Sequence, residues 1–204
     1  CLFMPSARVF PARQERQRSL KPPYRVAFLG RWHPNKGVDI LLGALGRLSE
    51  DIWQRLEAVR IAGGGPSAAS VHRAIHALRM QGRPVEVQGY LNADEAAAMF
   101  EWTDFVCIPS RIESIPVVFS DAMQARRPVI VTPVGDLPAI LNDHPAAGIV
   151  ANSADVAGYA DVIADAVCAD WRQRSGDFAA LQRAFDVECI VDAFLRRVGP
   201  EVPR

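Results

Sequence analysis

A chain of 204 residues, half of them apolar and with 23 Lys+Arg balancing 23 Asp+Glu, can bury a core and has no charge excess for holding nucleic acid. Its four cysteines, Cys1, Cys107, Cys168 and Cys189, form no CxxC pair and stand near no histidine at metal-ligand spacing. A disulfide scaffold and a metal site are therefore not expected, and a reducing compartment is. No apolar run approaches the roughly 20 residues that span a bilayer, and the first residues lack the apolar stretch of a signal peptide, so a cytoplasmic protein is expected.

Residues 1–23 mix Pro5, Pro11, Pro22 and Pro23 with Arg8, Arg13, Arg16, Arg18 and Lys21 against Glu15, and read as a linker or extended arm. Its basic character suits an interdomain linker or an approach to an anionic lipid surface, peripheral to a membrane. The chain begins without methionine, which suggests a piece of a longer protein.

From Tyr24 onward short β-branched apolar runs alternate with helical patterns. Tyr24 to Gly30 precedes a helix near 37–48; Leu56 to Ala62 precedes one near 67–80; Val85 to Gln88 precedes one near 93–101. Asp104 to Ile108 leads to a helix from about Pro116 to Arg126, Pro128 to Thr132 to a short helix near 136–141, and Gly148 to Ala151 is the last strand, before two or three closing helices. This alternation predicts an α/β fold, a Rossmann-like parallel sheet of about six strands with helices on both faces. Residues 24–170 form that domain and 171–204 add C-terminal helices and a tail. Runs such as Val129-Ile-Val and Phe105-Val-Cys-Ile are apolar on both faces, as strands between two helix layers must be.

Such sheets bind ligands beyond the carboxyl ends of their strands. The loops expected there are polar or glycine-rich. Arg31 and Lys36, five apart after the first strand, can close over one diphosphate beside a helix start. Gly63-Gly-Gly-Pro-Ser-Ala68 matches G-x-G-x-x-A but follows the second strand, and the acid about 20 residues on, Glu86, falls within a strand, so a tight turn is the safer reading. No P-loop sequence occurs. Asn92 to Glu95 reads as a helix-capping box. Glu113 and Asp121, eight apart around Pro116, are either surface acids paired with Arg111 and Arg126 or ligand-binding acids; Asp121 lies among positions that look buried, where a carboxylate needs a partner.

Together Phe28-Leu-Gly-Arg31, Asn35-Lys-Gly37, Ile61 to Pro66, Val87-Gln-Gly-Tyr90, Pro109-Ser110, the Glu113–Asp121 interval, Ala122-Met123, Pro128-Val-Ile and Gly135-Asp-Leu-Pro138 resemble the carboxyl-terminal half of retaining glycosyltransferases of family 4. The resemblance covers roughly residues 24–170. It implies one half of a GT-B enzyme, the domain that binds a UDP- or GDP-linked sugar, with no metal cofactor. By the same resemblance Arg31 and Lys36 hold the diphosphate and act catalytically with Glu113, which contacts sugar hydroxyls. Asp121 accepts from the ribose hydroxyls, and Gly89 and Tyr90 lie near the base. Gly64, Ser110, Ser114, Ile115, Pro116 and Val117 complete the implied binding set. A glycan or lipid-linked acceptor is implied for a missing N-terminal domain, which in this family often carries a catalytic histidine; none of His33, His72, His76 and His144 matches it.

Three positions depart from the family pattern. Asp121 replaces the usual glutamate, and Ser114 and Pro116 stand where glycines usually let backbone N–H groups reach the ligand. Two other readings stay open at this point: a non-catalytic module that binds a nucleotide or nucleotide sugar, and an NAD-binding oxidoreductase domain reading its cofactor through Gly63 and Gly65.

Overall fold

The computed structural model describes residues 19–171 and 178–198; the expected arm up to residue 18 lies outside them. Six strands form one sheet: β1 (Tyr24–Arg31), β2 (Leu56–Gly64), β3 (Val85–Gln88), β4 (Phe105–Ile108), β5 (Val129–Val131) and β6 (Gly148–Val150). Every pairing is parallel and the order is β3-β2-β1-β4-β5-β6. Helices α1 (Val38–Leu45), α2 (Glu50–Trp53), α3 (Ala68–Met80), α4 (Ala93–Trp102), α5 (Val117–Gln124), α6 (Leu137–Asp143), α7 (Val156–Cys168), α8 (Phe178–Ala184) and α9 (Val187–Val198) connect and close it. The expected α/β parallel sheet is the fold observed.

The period-2 alternation of strand side chains decides which layer each residue joins. On β1, Val26 and Phe28 enter one apolar cluster with residues of α1, α3 and α7, while Ala27 enters another on the opposite face with Met99 of α4. On β4, Phe105 and Cys107 face the first layer, and Val106 and Ile108 join Phe119, Met123 and Leu137 of the second. Both faces are buried, so these strands read as continuous apolar runs.

Element edges differ from the sequence reading where turn chemistry intervenes. A 3-10 turn, Pro34–Lys36, precedes α1, with Gly37 closing it at φ 66. The α2 segment was not anticipated; four residues carry too little periodicity to register. Pro116 caps α5 from outside at ψ 145 and is not in its first turn. The capping box of α4 is present as expected, with Glu95 N donating to Asn92 Oδ1 at 2.9 Å and Asn92 N donating to Glu95 Oε2 at 2.8 Å.

The core continues past residue 170. Trp171 is 1% exposed, its ring 5.0 Å from that of Phe105, and its indole N–H donates to Ala166 O at 2.7 Å. Leu181 of α8 and Phe185 just after it are buried against α5, where the Phe185 ring lies edge-on to Phe119.

Candidate functional site

Strand order reverses between β1 and β4, the switch point at which open α/β sheets place their ligands. The β1–β4 pairing ends at Ala27–Val106, although β1 continues to Arg31 and β4 to Ile108. The strands part there, and a cavity of about 460 Å³ opens between their carboxyl ends. Phe28 and Leu29 from β1, Cys107 and Ile108 from β4, and Leu91 and Phe100 give it an apolar floor.

The chemistry stands on the rim. Arg31, Lys36, Tyr90, Ser110, Glu113, Ile115, Pro116, Val117 and Asp121 all line this one cavity. Arg31 is exposed, and among the described residues no carboxylate is paired with it. Lys36 Nζ forms an ion pair with Glu113 Oε1, joining the β1 exit to the β4 exit. Asp121, in the second turn of α5, is 3% exposed. The α5 helix presents Val117 and Val118 to the cavity ahead of the bond from Phe119 N to the capping Pro116 O at 2.9 Å. The positive end of the helix dipole therefore borders the space where an anion would sit.

Tyr90 is 71% exposed, at the mouth. Its ring lies against Gly64, where a Cβ would come within 2.7 Å of the ring. Gly64 and Gly89 do not line the cavity themselves. Gly64 makes room for the Tyr90 ring, and the Gly89 carbonyl accepts from Gly63 N at 3.1 Å, tying the loop after β3 to the end of β2. Ser114, the third expected residue outside the lining, turns toward the β5–α6 loop, its Oγ donating to Asp136 Oδ2 at 3.3 Å.

Of the two arginines offered as partners for the acid pair, Arg111 is bound to another acid. Arg111 forks onto Asp39, its Nη1 and Nη2 donating to the two carboxylate oxygens at 2.8 and 2.7 Å. Arg126 Nε donates to Gln182 Oε1 at 3.1 Å. The Arg111 guanidinium holds the Asp39 carboxyl below the usual carboxylate range against the opposing effect of burial, and Asp39 in turn raises Arg111. Burial pushes the Cys107 thiol up to about 12, partly offset by a hydrogen bond with Tyr159. The dinucleotide reading of Gly63 and Gly65 loses its ribose acid, because Glu86 stands in β3 and accepts from Arg60 Nε at 2.6 Å.

The apolar floor was not anticipated. Its residues are ordinary strand and helix positions in the sequence, and only the parting of β1 from β4 exposes them to a cavity. The fork between Asp39 and Arg111 was missed for another reason: its members are 72 positions apart and look like ordinary surface charges.

Known proteins share this fold. The sequence profile of glycosyl transferases group 1 matches residues 23–168. A D-inositol 3-phosphate glycosyltransferase of Corynebacterium aurimucosum is 31% identical over 162 residues, 78% of this chain and 38% of that protein. Its counterpart from Mycobacterium bovis is 32% identical over 181 residues, 83% of this chain and 36% of that protein. The chain thus spans about two-fifths of the length of these curated relatives. Among solved structures, Anabaena HepE in complex with UDP-glucose superposes with a TM-score of 0.70 at 20% identity, covering 85% of this chain and 48% of that one. Staphylococcus aureus TarM, in a complex containing UDP, gives 0.66 at 16% identity, covering 95% and 38%. The fold is that of one Rossmann-like half of a GT-B glycosyltransferase, and the chain belongs to the glycosyl transferases group 1 family.

Proposed function

We propose that this chain is the donor-binding half of a retaining hexosyltransferase, taking a sugar from a UDP- or GDP-linked donor to a glycan or lipid-linked acceptor without a metal cofactor. The observation that carries the reading is the convergence of two cations, two acids and a helix N-terminus on one cavity at the strand switch point. Solved neighbours in complex with UDP-glucose and with UDP support the donor class.

Arg31 and Lys36 grip the diphosphate, with the first turn of α5 adding backbone N–H groups from Val117 and Val118. As the bond from the anomeric carbon to the β-phosphate oxygen breaks, its electrons move onto the diphosphate, and these pre-placed donors stabilise the growing charge. That charge stabilisation stands in for a metal ion. Glu113 takes hydroxyls of the sugar and Asp121 those of the ribose, the shorter side chain drawing the ribose closer to α5 or reaching it through a water. Tyr90 and Ser110 border the base and the phosphates. The relatives extend well beyond the matched segment. We therefore place the acceptor and the transfer step in a facing domain, and assign binding without transfer to this chain alone. No helix of the described residues is long and apolar enough to cross a membrane, and we place the protein in the cytoplasm, its basic lead-in able to approach anionic lipid.

Isothermal titration of UDP, GDP and ADP into the folded chain tests the reading. Heat of binding with at least one is expected; silence with all three overturns it.

A further inference from the structure

Lys36 and Glu113 reach the cavity from different strands, so something must hold their two loops in register. Arg111 does so with one side chain and one backbone group. Its Nη1 donates to Pro34 O at 2.6 Å and to Asp39 Oδ1 at 2.8 Å, its Nη2 donates to Asp39 Oδ2 at 2.7 Å, and its backbone N donates to Asn35 O at 2.8 Å. These bonds attach just before Lys36, at Pro34 and Asn35, and just after it, at Asp39. Glu113 follows Arg111 by two residues and meets Lys36 in the ion pair already described. Neither Arg111 nor Asp39 lines the cavity.

A guanidinium bound to a carboxylate through two parallel N–H···O bonds fixes direction as well as distance, which an ammonium cannot do. The two charges also cancel, so the fork holds the loops without adding a further cation beside the diphosphate. Their side chains are 38% and 57% exposed, and a pair so wet contributes little to global stability. Its bonds are therefore better placed to set local geometry than to hold the fold.

We propose, taking the donor-binding function above as given, that Arg111 and Asp39 are positioning residues, a fork that sets Lys36 on the donor diphosphate and Glu113 on its sugar. Its loss weakens recognition of the diphosphate and leaves recognition of the base and ribose intact.

Titration of the chain with each nucleoside diphosphate and its matching nucleoside, beside thermal melts, tests this. Arg111→Ala and Asp39→Asn are expected to lower diphosphate affinity about tenfold, with nucleoside affinity within about twofold and the melting midpoint close to wild type. Arg111→Lys falls between, and the charge-swapped pair Asp39→Arg with Arg111→Asp recovers part of the loss. Unchanged diphosphate affinity in Asp39→Asn, or an equal fall for diphosphate and nucleoside, overturns the positioning role. A wild-type chain that binds no nucleotide overturns the donor reading itself.

Discussion

Lys36 and Glu113 form an ion pair across the strand switch point. On the proposed reading, a diphosphate competes with the Glu113 carboxylate for the same ammonium, and its charge is opposed by that carboxylate. Replacing Glu113 by Gln removes the competitor. Affinity for a free nucleoside diphosphate is then expected to rise by up to roughly fivefold, about what a partly exposed ion pair contributes, while the extra affinity contributed by an attached sugar falls. Weaker binding of the free diphosphate in Glu113→Gln, read by titration, would contradict this arrangement. Cys107 makes a second test at this scale. It is 1% exposed, and burial pushes its thiol up to about 12, so at pH 8 it is protonated and shielded. A maleimide should label the exposed Cys168 and Cys189 of the native protein and leave Cys107 untouched until unfolding, as peptide mass mapping can show.

The loops after β1 and β4 reach the cavity, and the loop after β5 packs on the second of them. Gly37 occupies the left-handed region at φ 66, and a Cβ there would lie 1.8 Å from Pro109 O. Gly135, at φ 57, packs on the carbonyls of Glu113 and Ser114, each 2.3 Å from where a Cβ would stand. Gly37→Ala should cost more than about 2 kcal/mol, from left-handed strain plus a backbone collision; a variant that melts with wild type would show that the β1 and β4 exits are not in contact. The Asp39–Arg111 fork brings a pH signature. Because Asp39 is held below its ordinary value, its contribution to stability is present above about pH 4 and is lost as pH falls through the depressed value. The pair is partly exposed, so the effect on stability is small: between pH 5 and 3 the wild-type melting temperature should fall slightly more steeply than that of Asp39→Asn, and a wild type that falls less steeply than the variant would contradict the ion pair. The strands and long helices at this scale were legible in the sequence, because runs such as Val129-Ile-Val and the spacing of Val71, Ile75 and Leu78 encode burial locally. The bracing was not. Glycine at 37 or 135 signals a turn in sequence but gives no sign of which distant carbonyl it will touch, nor does the sequence show that Gly64 seats Tyr90 or that Gly89 closes a loop onto β2.

Trp171 and the α8 segment belong to the same packed body as the sheet. Trp171, Leu181 and Phe185 are buried on its two faces, so a chain ending at residue 170 loses three large apolar side chains. Removal of each such group costs several kcal/mol, and the truncated chain should melt far below the intact one or fail to fold. Equal stability by calorimetry would make α8 an accessory. The polar rim of the site was legible for a reason that also belongs to the whole molecule: a parallel sheet delivers every strand's exit to one side, so the sequence already brings Arg31, Lys36, Glu113 and Asp121 together. The apolar floor under them depends on where β1 and β4 separate, which no local pattern reports. The central claim is that Arg31 and Lys36 hold a donor diphosphate in this cavity, and titration of UDP, GDP and ADP into wild type and Arg31→Ala/Lys36→Ala tests it most directly. Binding of at least one diphosphate by wild type, with a loss of about a hundredfold or more in the double variant, is the predicted result; a folded double variant that binds as tightly as wild type would contradict it.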